Sequence, residues 1–299
     1  LTWDHEEQQS KRLDRYVSAA EELKKNEKLY ECFESPTDLD LKRKKLLNMG
    51  RPPVYDRSAL ELTNENKIML RKGNNPHWRF LLNDNRVNWE DRILGPISID
   101  SASVSDPVLI RADGQFLYTL ASVVDDVDMG ITDVVRGSDH VTNTATQIQI
   151  TEALSKSAPC YSHHSLLTGP AGENLSKRLG VMSLRDLRSA GIEPMAILSH
   201  LARLGSSQPG ELFNSVDNIE SVFDITTFGA APTKFEMQDL YPITSKYLSS
   251  LNFSEIKKRI TSAGATQHLW DVVKQNLITL DDFQYWLNLI VDGVEPLVD

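Results

Sequence analysis

Apolar residues recur three and four positions apart near the start of the chain. Over residues 9 to 33, Leu13, Tyr16, Val17, Ala20 and Leu23 predict an amphipathic helix ending near Asn26. Ser35 or Thr37 then caps a second helix that runs through Leu39, Leu41 and Leu46 until Gly50 and the Pro52-Pro53 pair stop it. Residues 55 to 100 change period: short apolar stretches such as WRFLL and ILGPISI are split by Asn, Asp and Gly, as in an antiparallel α+β module. From Asp106 the pattern shifts again. PVLI reads as a short buried strand, ADGQ as a turn with Gly114 where positive φ is cheap, and FLYTLASVVDDVDMG as a helix closed by Gly130. ITDVV predicts a second buried strand, RGSDH a loop, and VTNTATQIQITEALSK a further helix. Strands and helices alternating with short connections predict a parallel α/β layer, in which ligands sit beyond the carboxyl ends of the strands. That rule puts Arg136 and its loop at a site. Later, VMSLRDLRSAGIEPMAILSHLARLG holds two helix candidates with Gly191 and Pro194 between them, and more helices are expected from Lys234 to Ile290.

A chain of 299 residues exceeds one small core and predicts two or three domains. A quarter of the residues are charged and the apolar share is ordinary, which excludes extended disorder. There is no run of about 18 apolar residues to span a bilayer, and LTWDHEEQQSKR has neither the basic start nor the apolar run of a secretory signal. Cys32 and Cys160 lack CxxC partners and are expected as two buried, unpaired thiols in a reducing compartment, placing the protein in the cytoplasm without a membrane partner. The net charge of -10 opposes a nucleic-acid partner at first sight. Its distribution does not: Lys42, Arg43, Lys44 and Lys45 form one basic run, Lys177, Arg178, Arg185, Arg188 and Arg203 populate another region, and no Lys or Arg lies between Gly205 and Thr233. An acidic protein can present a basic face.

Arg136 is the first candidate for chemistry. A guanidinium between an apolar strand and a glycine can form a two-pronged pair with a carboxylate, a geometry lysine cannot match. The competing reading is a structural ion pair with Asp125, Asp126 or Asp128. The second candidate is ENLSKRLG, residues 173 to 180, a glycine-flanked cationic loop suited to a polyphosphate; a solvated turn is the plain alternative.

Tyr118, the VVDD run, the VVRGSDHVTNT block and the whole stretch RADGQFLYTLASVVDDVDMGITDVVRGSDHVTNTATQIQI resemble the bacterial glutamyl-tRNA synthetases, a class I aminoacyl-tRNA synthetase family. The resemblance implies an α/β fold. It comprises an incomplete Rossmann-like catalytic domain, an α+β acceptor-binding insertion and an all-helical C-terminal region. Residues 1–20 would belong to the catalytic domain, 21–105 to the acceptor-stem-binding insertion and 106–165 to the second catalytic half. Residues 166–230 would hold the SKR loop and stem-contact helices, and 231–299 the start of an anticodon-binding region.

The resemblance further implies ATP-dependent attachment of L-glutamate to the 3' end of tRNA through a glutamyl-adenylate, with Mg2+ accompanying ATP. Tyr118, Arg136 and Ser122 would hold glutamate. Asp139, His140, Leu175, Ser176 and Lys177 would lie at ATP, and Lys177 and Arg178 would act on the polyphosphate as catalytic cations. The family's Gly-Glu-Asp-His is Gly137, Ser138, Asp139, His140 here, and the first lysine of its KLSKR-type loop is Asn174. No HIGH-type sequence occurs, and the paired His163-His164 is not a substitute, so the sequence is expected to be a fragment or the ordered part of a longer protein. In LYECFES, set against the zinc-binding YxCxC of some relatives, Cys32 is present but Glu34 stands at the second cysteine position, and no structural zinc is expected. The expected partners are tRNA-Glu, with tRNA-Gln as second candidate, and the expected state is a monomer. A catalytically inactive tRNA- or glutamate-binding paralogue is the alternative.

Overall fold

A computed structural model of the chain describes residues 3–173, 183–260 and 264–293. The chain divides into two compact units, residues 1–164 and 165–299.

In the first unit, helix α1 (Leu13–Lys25) closes on Asn26 and buries Tyr16, Ala19, Ala20 and Leu23. The apolar periodicity overshoots here, because Leu13 and Val17 of the predicted stripe are about half exposed while Ala19 joins the core instead. Strand β1 (Leu29–Cys32) leads to α2 (Pro36–Asn48), which starts at a reciprocal cap: the Ser35 hydroxyl accepts from the Asp38 amide and the Asp38 carboxylate accepts from the Ser35 amide. Although Leu39, Leu41 and Leu46 give α2 its helical period, it buries no residue. After α3 (Asn64–Arg71) come β2 (His77–Phe80), the antiparallel pair β3 (Arg86–Asp91) and β4 (Gly95–Asp100), and β5 (Val108–Ile110).

Helix α4 (Tyr118–Asp128) then precedes β6 (Asp133–Gly137), α5 (Val141–Ala153) and β7 (Cys160–His164). Gly130, with φ of +64°, makes the reversal after α4 that a residue with a Cβ resists. The predicted RGSDH loop begins two residues later than its letters suggest: Arg136 and Gly137 still belong to β6, and Ser138–His140 form a single tight turn that runs into α5.

Two sheets result. One has the order β1-β2-β5, all antiparallel, and the other the order β4-β3-β7-β6. The strands PVLI and ITDVV therefore do not share one parallel layer, because β5 pairs with β2 while β6 pairs in parallel with β7. Tyr16, Leu23, Phe80, Leu109, Leu120 and Ile150 form the main core between α1, α4, α5 and the first sheet. Each such fully buried large side chain contributes roughly 1.5 to 3 kcal/mol.

The second unit is mostly helical around the parallel pair β8 (Leu167–Thr168) and β9 (Thr233–Lys234). Helices α6 (Leu184–Ser189) and α7 (Pro194–Leu201) meet at Gly191, whose φ is +73° and where a Cβ would come within 2.9 Å of Thr279. Further helices are α8 (Val216–Glu220), α9 (Leu240–Ser250), α10 (Phe253–Ile256), α11 (Gln267–Val273) and α12 (Asp282–Asp292). Fully buried Trp270 anchors the last four, its indole N–H donating to the Leu251 carbonyl at 3.0 Å. Buried Glu193 takes a two-pronged pair from Arg259. Among the described residues no helix is long and apolar enough to cross a membrane. Cys32 is buried, whereas Cys160 at the start of β7 is exposed, against the expectation of two buried thiols; both are free.

Candidate active site

Parallel pairing sets Arg136 of β6 directly beside His163 of β7, near the carboxyl ends of both strands. Behind the guanidinium, Thr144 and Gln147 project from one face of α5, three residues apart. Arg136 Nη2 donates to Thr144 Oγ1 at 2.5 Å and to Gln147 Oε1 at 2.6 Å, and Arg136 Nε donates to His163 Nε2 at 3.3 Å. The guanidinium lies over the Tyr161 ring at 5.4 Å. Burial pushes the Tyr161 phenol up to about 12, against the pull of the Arg136 charge, with Asp126 and Tyr118 adding to the rise.

The competing ion pair is not formed. Asp125 is taken by Gln9, Arg12 and Tyr16, Asp128 is taken by Arg12 and Arg15, and no carboxylate pairs with Arg136 among the described residues. Asp126 feels the Arg136 charge without pairing with it. Burial raises its carboxyl above the ordinary value, Arg136 acts to lower it and Asp125 to raise it. A half-buried cation whose hydrogen-bond acceptors are all neutral retains charge for an incoming anion.

Gln147 also links two of the sequence candidates. Its amide N–H donates to Ser122 Oγ at 2.8 Å while its carbonyl oxygen holds Arg136. Ser122 lies one turn beyond Tyr118, whose exposed ring begins α4 and meets His140 edge-on at 6.1 Å. His140 and exposed Asp139 occupy the turn at the N-terminus of α5, where backbone N–H groups and the helix dipole favour anions. Tyr118, Ser122, Arg136 and His140 are thus joined through contacts in one unit. Leu175, Ser176, Lys177 and Arg178 lie outside the described residues. Thr144, Gln147, Asp91 and His163 were not legible as site residues. The one available signal was polar residues on a helix expected to pack against a sheet.

A second cluster gathers one donor each from Cys32, Glu34 and His77 within 4.8 Å. His77 comes from β2 and no spacing rule would have joined it to the other two. The Glu34 carboxylate already accepts from Tyr55 Oη at 2.7 Å and from Ser58 Oγ and Lys42 Nζ at 3.2 Å, and burial pushes the Cys32 thiol up to about 11. Three donors, one of them a reluctant thiolate, fall short of the four that a structural zinc takes.

Lys42 is therefore not a free member of the basic run: it contacts Glu34, Asp56 and Ser58, and Lys44 pairs with Asp40. Arg43 and Lys45 are exposed without an ion pair among the described residues.

Residues 1–242 match the family model of class I tRNA synthetases (E and Q), catalytic domain. The chain belongs to this family. It is 60% identical over 303 aligned positions to glutamate–tRNA ligase 2 of Cereibacter sphaeroides and 58% identical to glutamate–tRNA ligase 1 of Ruegeria pomeroyi, with all of the chain aligned to 69% and 68% of those proteins. Its fold is similar to that of a glutamate–tRNA ligase from Elizabethkingia meningosepticum, solved in complex with its amino acid, at a TM-score of 0.80 and 24% identity; 95% of the chain covers 64% of that structure. A glutamate–tRNA synthetase structure from Elizabethkingia anophelis matches at a TM-score of 0.78 and 25% identity, with 93% of the chain covering 64% of it. Class I membership brings with it the α/β catalytic fold and the use of ATP.

Proposed function

We propose that the chain is the amino-acid-activating and acceptor-binding part of an ATP-dependent glutamate–tRNA ligase, and that Arg136 selects glutamate by charge. What supports the reading most is the company of Arg136: a half-buried guanidinium with three neutral acceptors and no ion-paired carboxylate among the described residues. A glutamate side-chain carboxylate completes that site, whereas glutamine leaves the positive charge without a partner. Tyr118 and Ser122 serve the same amino-acid site. Asp139, His140 and the N-terminus of α5 face the nucleotide, with Leu175 and Ser176 contributing from the segment outside the described residues. Lys177 and Arg178, placed by the family's SKR motif, neutralise charge on the pyrophosphate as the glutamate carboxylate attacks the α-phosphate. Mg2+ enters with ATP, and Cys32 and Glu34, joined through Tyr55 Oη, belong to a hydrogen-bonded network without structural zinc. The protein acts in the cytoplasm on tRNA-Glu, with tRNA-Gln the second candidate.

The test is amino-acid-dependent ATP–pyrophosphate exchange by the full-length protein in the presence of tRNA. Glutamate must support exchange and glutamine must not. Equal exchange with both, or none with glutamate, overturns the assignment. Lys177→Ala should cost about 2 to 4 kcal/mol of transition-state stabilisation, read as a fall in kcat with little change in glutamate KM.

A further inference from the structure

The described fold extends the contacts of Arg136 into a chain that ends on a buried carboxylate. Asp91 closes β3, His163 sits in β7 and Arg136 in β6, and these strands are neighbours in the order β3-β7-β6. Asp91, His163 and Thr144 are 2%, 0% and 0% exposed. Asp91 Oδ1 accepts backbone amides from Ile93 at 3.1 Å, Leu94 at 3.0 Å and His163 at 3.1 Å, while Oδ2 lies 2.5 Å from His163 Nδ1. A carboxylate can only accept, so the imidazole carries a proton on Nδ1 and can present Nε2 as a lone pair. Arg136 can only donate, so Thr144 Oγ1 accepts from Nη2, and its own proton has two acceptors in reach, His163 Nε2 at 2.8 Å and the longer contact to the His140 carbonyl at 3.3 Å, the shorter favouring the imidazole. Tyr161 stacks on the imidazole at 6.1 Å and Trp89 packs at 6.5 Å, fixing the ring plane.

We propose that Asp91, His163 and Thr144 are positioning residues for Arg136: the directed chain Arg136 to Thr144 to His163 to Asp91 aims the guanidinium at its anionic ligand and so sets glutamate specificity. The chain orients the arginine through a hydroxyl and an imidazole and leaves its charge unpaired. The Asp91 carboxylate spends its oxygens on three backbone amides and the imidazole and makes no ion pair with Arg136 among the described residues. The proposal rests on the reading of Arg136 as the glutamate-binding cation.

Asp91→Asn tests the directionality. Three amides hold Oδ1, so the new side chain turns its NH2 toward His163 Nδ1 and forces the imidazole proton onto Nε2, where a donor meets the Thr144 hydroxyl and Arg136 Nε. In full-length enzyme, glutamate KM should rise by about tenfold or more, the scale of a charge-assisted hydrogen bond lost, while ATP KM stays within about twofold. His163→Phe alone raises glutamate KM, and adding Asp91→Asn to it should do nothing further, since no tautomer remains to reverse. Thr144→Val, which keeps the shape and deletes the link, should raise glutamate KM severalfold and serves if Asp91→Asn does not fold.

An unchanged glutamate KM in a folded Asp91→Asn or Thr144→Val variant, a matching rise in ATP KM, or additivity in the double variant overturns the proposal. Wild-type enzyme that does not discriminate glutamate from glutamine would instead remove the reading of Arg136 on which it rests.

Discussion

Two arginines act on helix α4, and they keep different company. Arg12 of the N-terminal segment meets carboxylates at every turn: its Nε donates to Asp125 at 2.7 Å, its Nη2 to Asp128 at 2.8 Å, and Glu7 lies 3.9 Å from Nη1. Arg136 donates to a hydroxyl, an amide oxygen and an imidazole nitrogen. The first cation is spent on joining α1 to α4; the second is oriented without being neutralised. Residue type and half-burial are similar at both sites, so neither property distinguishes a structural arginine from one that binds a ligand. The charge of the acceptors does. The VVDD run shows the same division within adjacent residues, since Asp125 turns toward Arg12 while Asp126 feels the field of Arg136.

The largest expected effect separates the two arginines directly. Arg136→Ala should cost about 3 to 5 kcal/mol in kcat/KM for glutamate, because a desolvated ion pair with the ligand is lost, with a smaller fall in melting temperature than Arg12→Ala. Arg12→Ala should do the reverse, lowering the melting temperature while glutamate KM stays within about twofold. Steady-state exchange kinetics and calorimetry on the same preparations decide it. If both variants lost glutamate affinity alike, the contrast between charged and neutral acceptors would carry no functional meaning.

Next in size is Asp125→Ala. The carboxylate is buried and holds Gln9, Arg12 and the Tyr16 hydroxyl, so its removal strands three donors, and a loss of about 2 to 3 kcal/mol in unfolding free energy is expected by denaturant titration. Activity per folded molecule should be retained. A stability close to wild type would mean that solvent replaces the network at little cost.

How far these contrasts were legible in the sequence depends on range. Helix α1 and its end at Asn26, the Ser35 cap, and the alternation from PVLI to α5 follow from local period and turn chemistry, and the structure forms them. Arg136 was visible because an arginine after an apolar strand is locally unusual. Its three acceptors were not, since they come 8, 11 and 27 residues later and meet only through strand register and helix packing. Leu13 and Val17 had the right period and the wrong side, because periodicity fixes a stripe but not its width. The separation of β5 from β6 into different sheets was equally hidden, as β5 is claimed by β2, a strand about 30 residues earlier.

Acid sharpens the structural half of the comparison. Hydrogen bonding by Arg15 lowers the Asp128 carboxyl below its ordinary value against a smaller opposing effect of burial, with Arg12 adding to the depression. A depressed carboxylate contributes stability that is present above the unfolded value, near 3.8, and is lost as pH falls through the lower folded value. Asp128→Asn should therefore flatten the decline of stability below about pH 4 and leave the neutral-pH decline in denaturant unchanged in slope. An acid limb identical to wild type would show that this clamp does not titrate with folding.

The smallest effect carries the same distinction to the basic run on α2. Lys42 resembles Arg12, with Glu34 and Asp56 already against its ammonium, whereas Arg43 and Lys45 resemble Arg136 in having no ion-paired carboxylate among the described residues. Charge already compensated by protein carboxylates attracts phosphate weakly, because binding must either break the pair or leave the acids facing the RNA. Lys42→Ala should therefore leave tRNA affinity within about twofold and cost roughly 0.5 kcal/mol of stability, the scale of a partly exposed pair. Arg43→Ala should weaken tRNA binding severalfold and reduce the salt dependence by about one unit of slope, measured by filter binding at several ionic strengths. A larger tRNA defect for Lys42→Ala than for Arg43→Ala would reverse the assignment, because it would show that a lysine held by two carboxylates still serves the nucleic acid better than an unpaired arginine beside it.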